Sequence, residues 1–178
     1  MRTILAVIRF CFSVSASIAL VACAQAPTPS QSFDSASLPV LRPLEVDCDF
    51  GAALVPGIPG SPGHLIKSSR NPNGDSELSY VMRRMADDLS AARSAMQSGG
   101  APQSLLKIHR RIRCSWASKP EERNETFDGM ARAYLASVQA FDGSPSRATY
   151  NAMVQGCVSC HSMTCRGPID MIEQLVWR

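Results

Sequence analysis

The chain has 178 residues, seven cysteines, and 18 basic against 15 acidic side chains. The length suits one domain of ordinary size rather than several. The formal charge of +3, part of it carried by Arg2 and Arg9 near the start, gives no electrostatic case for a nucleic-acid partner.

Residues 1–22 hold Arg2 and Arg9, no acidic residue, and a mostly apolar run from Phe10 to Ala22. This pattern predicts a secretory signal peptide. The uncharged run is too short for a transmembrane span and is diluted by Ser13, Ser15 and Ser17. Leu20-Val21-Ala22-Cys23 matches a bacterial lipobox. Cys23 is then the lipid-modified first residue of the mature chain, anchored on the periplasmic side of a bacterial membrane. The alternative is ordinary cleavage after Ala26, at Ala24-Gln25-Ala26, giving a soluble periplasmic protein. Residues 23–74 are rich in Pro, Gly and Ser, as in Pro56-Gly57-Ile58-Pro59-Gly60-Ser61-Pro62-Gly63. Such sequence cannot sustain a helix and reads as a flexible linker, disordered at first and partly docked near Cys48.

From residue 75 to 178 the apolar period becomes helical. Asp75 or Ser76 caps a first helix in which Leu78, Met82, Met85, Leu89, Ala92 and Met96 form one stripe, with Arg83, Arg84, Asp87 and Asp88 expected to face away. Ser98-Gly99-Gly100-Ala101-Pro102 stops it. A second helix is predicted over 103–116 on Leu105, Ile108 and Ile112, and a third over 121–141 on Phe127, Met130, Ala131, Tyr134, Leu135, Val138 and Phe141. Ser144 is the expected cap of a fourth, with Pro145 in its first turn and Tyr150, Met153, Val154, Cys157 and His161 on one stripe. Gly167-Pro168 interrupts, and 169–177 can form a short extra C-terminal helix. No strand pattern or internal repeat is visible. The expected fold is all-α: an antiparallel four-helix bundle behind a disordered Pro/Gly-rich N-terminal arm.

Within the fourth helix, Cys157-Val158-Ser159-Cys160-His161 spells C-x-x-C-H, the pattern that attaches a c-type haem. Two thiols at this spacing can each add to one of the two vinyl groups on a porphyrin edge, and the adjacent histidine is carried to the iron. Haem is attached to such proteins outside the cytoplasm, so an export signal is its required companion. A thioredoxin-like C-x-x-C would follow a strand, and a structural zinc site would need two further ligands at similar spacing. The expected cofactor is one covalent haem c, with His161 as axial iron ligand.

A haem motif on the last long helix of a four-helix bundle, close to the C-terminus, resembles cytochrome c′ and its relatives. The resemblance covers roughly 75–178. It departs at Cys165-Arg166-Gly167-Pro168-Ile169, where the cytochrome c′ helix usually runs on with a basic residue one turn after the histidine. The first helix, Val81-Met82-Arg83-Arg84-Met85-Ala86-Asp87-Asp88-Leu89, is similar to that of the soluble b-type cytochrome of the same bundle fold. That resemblance implies Met82 as the thioether iron ligand, with Met85 and Leu89 packed along the macrocycle and Met85 the next ligand candidate. In five-coordinate relatives an apolar residue covers that face without bonding, and both methionines also suit a plain core.

The resulting expectation is an electron carrier, not an enzyme, that exchanges single electrons with a redox protein in the periplasm. A five-coordinate haem protein binding NO or CO is the alternative, and a haem-free redox or structural bundle the second. A homodimer is left open. His109 reads as lying on a solvated helix face beside Arg110, Arg111 and Arg113, candidates for a propionate contact or for docking an acidic partner. His64 reads as exposed. Cys48, Cys114 and Cys165 remain after haem and lipid are assigned, and any two could bridge in an oxidising compartment.

Overall fold

The computed structural model describes residues 48–178. The expected signal peptide, Cys11, the lipidation site Cys23 and the linker as far as residue 47 lie outside the described residues. Helix α1 spans Glu77–Gln97. It is followed by α2, Leu106–His109, which tightens directly into a 3₁₀ turn at Arg110–Arg113. Then come a 3₁₀ turn at Pro120–Glu122, α3 at Glu125–Gly143, α4 at Arg147–Thr164 and α5 at Ile169–Glu173. Among the described residues the regular elements are helical, and extended backbone pairs only at one antiparallel bridge between Ile66 and Asp75. The all-α class expected from the apolar period is the class observed.

Local chemistry sets each boundary. Ser76 has extended backbone and its hydroxyl accepts the Ser79 N–H, which starts α1. Asn124 does the same for α3 by accepting from the Phe127 N–H at 3.0 Å. That moves the helix start past the Pro120–Glu122 turn, where the sequence pattern had placed it. For α4 the cap is Ser146, not Ser144. Ser146 and Thr149 satisfy each other's backbone N–H in a reciprocal capping box, which outcompetes a single serine two residues earlier.

The second predicted helix is the largest departure. Its start is fixed from outside: the Asp142 carboxylate of α3 accepts from the N–H groups of Leu105 and Leu106 and from the Ser104 hydroxyl. Its end is pulled away by tertiary bonds. Cys114 is tied by a disulfide to Cys48, Trp116 donates its N–H to Glu77 Oε2, and Leu78 donates to the Trp116 carbonyl. A continuous helix to residue 116 would forfeit these, so the last turn tightens to 3₁₀ instead.

The core is built from the predicted stripes. Leu78, Val81, Met85, Leu89 and Ala92 of α1 are buried with Phe127, Ala131, Tyr134, Val138 and Phe141 of α3 and with Tyr150, Met153 and Val154 of α4. Helix α3 packs on α4 and on α2, while α1 packs against α2 and its 3₁₀ extension. The C-terminal segment folds back: Trp177 sets its edge on Tyr150 at 5.9 Å, and the Tyr150 hydroxyl donates to the Leu175 carbonyl. Residues 48–76 lie on the helices. The disulfide resolves the cysteine pairing as Cys48–Cys114, and Trp116 Nε1 donates to the Val55 carbonyl at 2.7 Å. Gly60, at φ +88, brings its carbonyl to the Glu77 N–H; a Cβ there would sit 2.2 Å from that nitrogen, so only glycine fits this crossing. Arg83 is not simply outward, since it pairs with the buried Asp75.

Candidate functional site

Helix geometry places Cys157, Cys160 and His161 at i, i+3 and i+4 on one face of α4. Met82, Met85 and Leu89 recur at i, i+3 and i+7 on α1. All six line one apolar pocket, whose water-accessible cavity is about 60 Å³. The other walls come from Phe127, Met130 and Tyr134 of α3 and from Ile172 and Leu175 at the C-terminal end. Met85 and Leu89 are buried and Met82 is half-buried beside them. The methionines therefore face the motif across the cleft.

His161 lies at the C-terminal end of α4, half-buried, with Nδ1 2.9 Å from the Cys165 carbonyl. A carbonyl only accepts, so Nδ1 carries the proton and Nε2 presents a lone pair. The Cys165 N–H returns the tie by donating to the His161 carbonyl. This orients the imidazole as a second-sphere hydrogen bond orients a metal-bound histidine. Burial pushes the Cys157 thiol up to about 12, with Cys160 next to it acting the same way and the Tyr134 hydroxyl opposing. Burial also raises Cys160, against a hydrogen bond from Thr164. Gly156 lets α4 close on α3 here: a Cβ would stand 3.2 Å from Tyr134 Cδ2.

Two thiols and an imidazole on one turn of α4, opposite thioethers in an apolar cleft, are a donor set that fits a covalently held haem. Among the described residues no three His, Cys, Asp or Glu side chains cluster as a metal site. A porphyrin iron, already held by four ring nitrogens, needs no such cluster. No described helix is long and apolar enough to cross a membrane.

Several polar residues sit differently from the sequence expectation. His109 is fully buried, not on a solvated face. It follows Leu105 by four residues and precedes Ile112 by three, so it lies on the same apolar stripe, and that spacing was the available signal. Its Nδ1 is 2.8 Å from the Tyr134 hydroxyl and its Nε2 is 3.6 Å from Asp88 Oδ2. Asp88 therefore faces inward, correcting its expected outward placement. Arg110, Arg111 and Arg113 do not line the pocket. Arg113 is bound to Asp128 and Asp49 instead, at 2.7 Å each. His64 is exposed and Cys165 is a free, exposed thiol.

Comparison of the chain with protein-family models, with curated proteins and with solved structures returned no match.

Proposed function

We propose that this chain is an exported monohaem c-type cytochrome of the cytochrome c′-like type, carrying single electrons for a periplasmic redox partner. In this reading α1, the α2 segment, α3 and α4 are the four members of the bundle. Cys157 and Cys160 would hold haem c through thioethers, and His161 Nε2 would bond its iron. When bound, the haem supplies a one-electron Fe(III)/Fe(II) couple. The chain's own residues do the rest: Met85, Leu89 and Phe127 exclude water from the cleft, and the Cys165 carbonyl fixes the His161 tautomer. Met82 is the proposed sixth ligand, and Cys23 the proposed lipid anchor.

The observation that carries this reading is the convergence of Cys157, Cys160, His161, Met82, Met85 and Leu89 on one apolar pocket. They come from two helices, and nothing in the C-x-x-C-H spacing requires methionines opposite it. The haem-free redox alternative is disfavoured by the same site. A working C-x-x-C needs a thiol with a lowered pKa, whereas burial pushes Cys157 up to about 12. Denaturing mass spectrometry of protein matured in a host that attaches haem tests the proposal. The mature chain should carry the mass of one haem, and Cys157→Ala/Cys160→Ala should carry none. Haem that survives the double substitution, or a wild-type chain without it, overturns the proposal.

A further inference from the structure

The C-terminal segment is hinged beside the motif and latched at the far end of α4, with a pocket wall between. Helix α4 ends at Thr164, and the chain turns back through Arg166-Gly167-Pro168. Residues 165–167 are exposed, and a Cβ on Gly167 would meet nothing within 4 Å. The backbone hydrogen bonds of this turn are all local: Cys165 to His161, Ile169 to Arg166, and Met171 and Ile172 to Pro168. The segment then runs back to the first turns of α4. There Asn151 Nδ2 and Arg147 Nε donate to the Trp177 carbonyl at 2.9 and 3.1 Å, and the Trp177 N–H donates to Asn151 Oδ1 at 2.8 Å. Arg93 of α1 and the Tyr150 hydroxyl donate to the Leu175 carbonyl at 3.0 and 2.9 Å. At the helical rise of about 1.5 Å per residue, the latch at Asn151 stands about 15 Å from His161.

Among the described residues, every hydrogen bond between 169–178 and the long helices joins a side chain of α1 or α4 to the segment's own main chain. The segment can therefore leave without breaking a backbone hydrogen bond inside α1, α3 or α4. From its middle, Ile172 and Leu175 line the pocket. The other walls continue into a core that lies beyond the pocket, through Ala92, Val138 and Val154. The cavity of about 60 Å³ is far below the about 300–1,000 Å³ of sites that hold cofactor-sized ligands. A wall must move for a macrocycle to lie between Cys157 and Met82, and the hinged segment is the wall with least to break.

We propose that residues 167–178 are a lid on this pocket, turning as a unit about Gly167-Pro168 while the long helices stay folded. The inference rests on the c-type cytochrome reading above. Open, the lid gives a macrocycle room between the motif and α1. Closed, it places Ile172 and Leu175 in the wall and keeps water from the cleft. The hinge lies just past Cys165, whose carbonyl holds His161 Nδ1, so the lid moves without disturbing the imidazole.

Hydrogen exchange of the haem-bearing full chain, read amide by amide, tests the lid. A five-residue helix is not stable alone, so the N–H groups of Ile172 and Leu175 lose protection when the lid opens, together with that of Trp177. They should exchange ahead of the amides of α1, α3 and α4, through an opening that mild denaturant barely accelerates. Arg93→Ala/Asn151→Ala removes latch bonds and should speed exchange in the lid by about tenfold, with the long helices unchanged. In haem-free Cys157→Ala/Cys160→Ala the lid should also open about tenfold more often than in the haem-bearing chain, because Ile172 and Leu175 lose a packing partner. Should Arg93→Ala/Asn151→Ala fail to fold, Asn151→Ala and the comparison with and without haem decide. Lid amides that exchange only together with the long helices, or equally with and without haem, overturn the lid and leave the cytochrome reading intact. A wild-type chain whose intact mass shows no haem overturns both.

Discussion

Truncating Met82 and Met85 in turn separates ligand from packing residue. Met85 is 4% exposed and sits within the core stripe of α1, whereas Met82 is half-buried at the pocket lip. Burying less area, Met82→Ala should cost about 1 kcal/mol in packing. Met85→Ala should cost about 2 kcal/mol, the low end for Met→Ala, because the lost side chain enlarges an existing pocket instead of leaving a sealed void. Both costs should be read in a Cys157→Ala/Cys160→Ala background, where no iron bond contributes. For a domain of this size the two figures correspond to melting temperatures lower by about 4 and about 8 °C. In the haem-bearing protein the order reverses for the spectrum. Met82→Ala should convert a low-spin spectrum to high-spin, open the iron to carbon monoxide and lower the potential, since a thioether favours ferrous iron. Met85→Ala should leave the spin state unchanged. A wild type that is already high-spin and binds carbon monoxide readily would refute ligation by Met82 and favour the gas-binding function. A spin change in Met85→Ala alone would put the ligand one turn along α1.

Three further outcomes follow from the described contacts and the proposed anchor. Cys114→Ala opens the link to Cys48 across 66 residues, and chain entropy sets the loss at about 4 kcal/mol in urea unfolding; an unchanged midpoint would contradict that account. A hydrogen bond from Arg113 holds the Asp128 carboxyl below its usual range, against burial and with further help from the charges of Arg113, Arg132 and Arg123. A depressed folded-state pKa stabilises above the unfolded value of about 3.9 and is lost as pH falls through the folded one. The stability gap between wild type and Asp128→Asn should therefore be full at neutral pH and close in acid, and a gap that is constant down to pH 2 would refute the pairing. Cys23→Ser should move the mature protein from the membrane to the soluble fraction; retention in the membrane would refute the lipid anchor.

The parts of this fold legible in the sequence are those written in a local period. The buried faces of α1 and α3 repeat every three to four residues, and Leu78, Met85, Leu89, Phe127, Tyr134 and Phe141 can be picked out without knowing their partners. What escaped was set by residues far away in sequence. The second helix is cut short at one end by Asp142, about 36 residues downstream, and drawn off at the other by Cys48 and Glu77. No local propensity in 103–116 encodes those contacts. The cap of α4 was missed for a different reason. Ser144 and Ser146 are both good single caps, and only the reciprocal bond with Thr149 distinguishes them.

The candidate site divides along the same line. Its α4 half is a five-residue word, and the proposed chemistry rests on that spacing. Its α1 half was reached by resemblance and by period, and periodicity cannot tell a methionine that packs from one that binds. Tyr134 of the third wall lay on the expected stripe, but His109 and Asp88 behind it were misread because polar residues at a stripe's edge are normally solvated. Here the stripe closes over them because α1, α2 and α3 converge at that point and leave no path to water for the imidazole. Replacing His109 alone with leucine would leave the Tyr134 hydroxyl without its 2.8 Å partner and Asp88 Oδ2 without the imidazole it faces. His109→Leu should therefore lower stability by about 1–3 kcal/mol despite the apolar gain. An unchanged urea midpoint would refute the reading that these buried contacts, and not packing alone, hold the imidazole between α1 and α3.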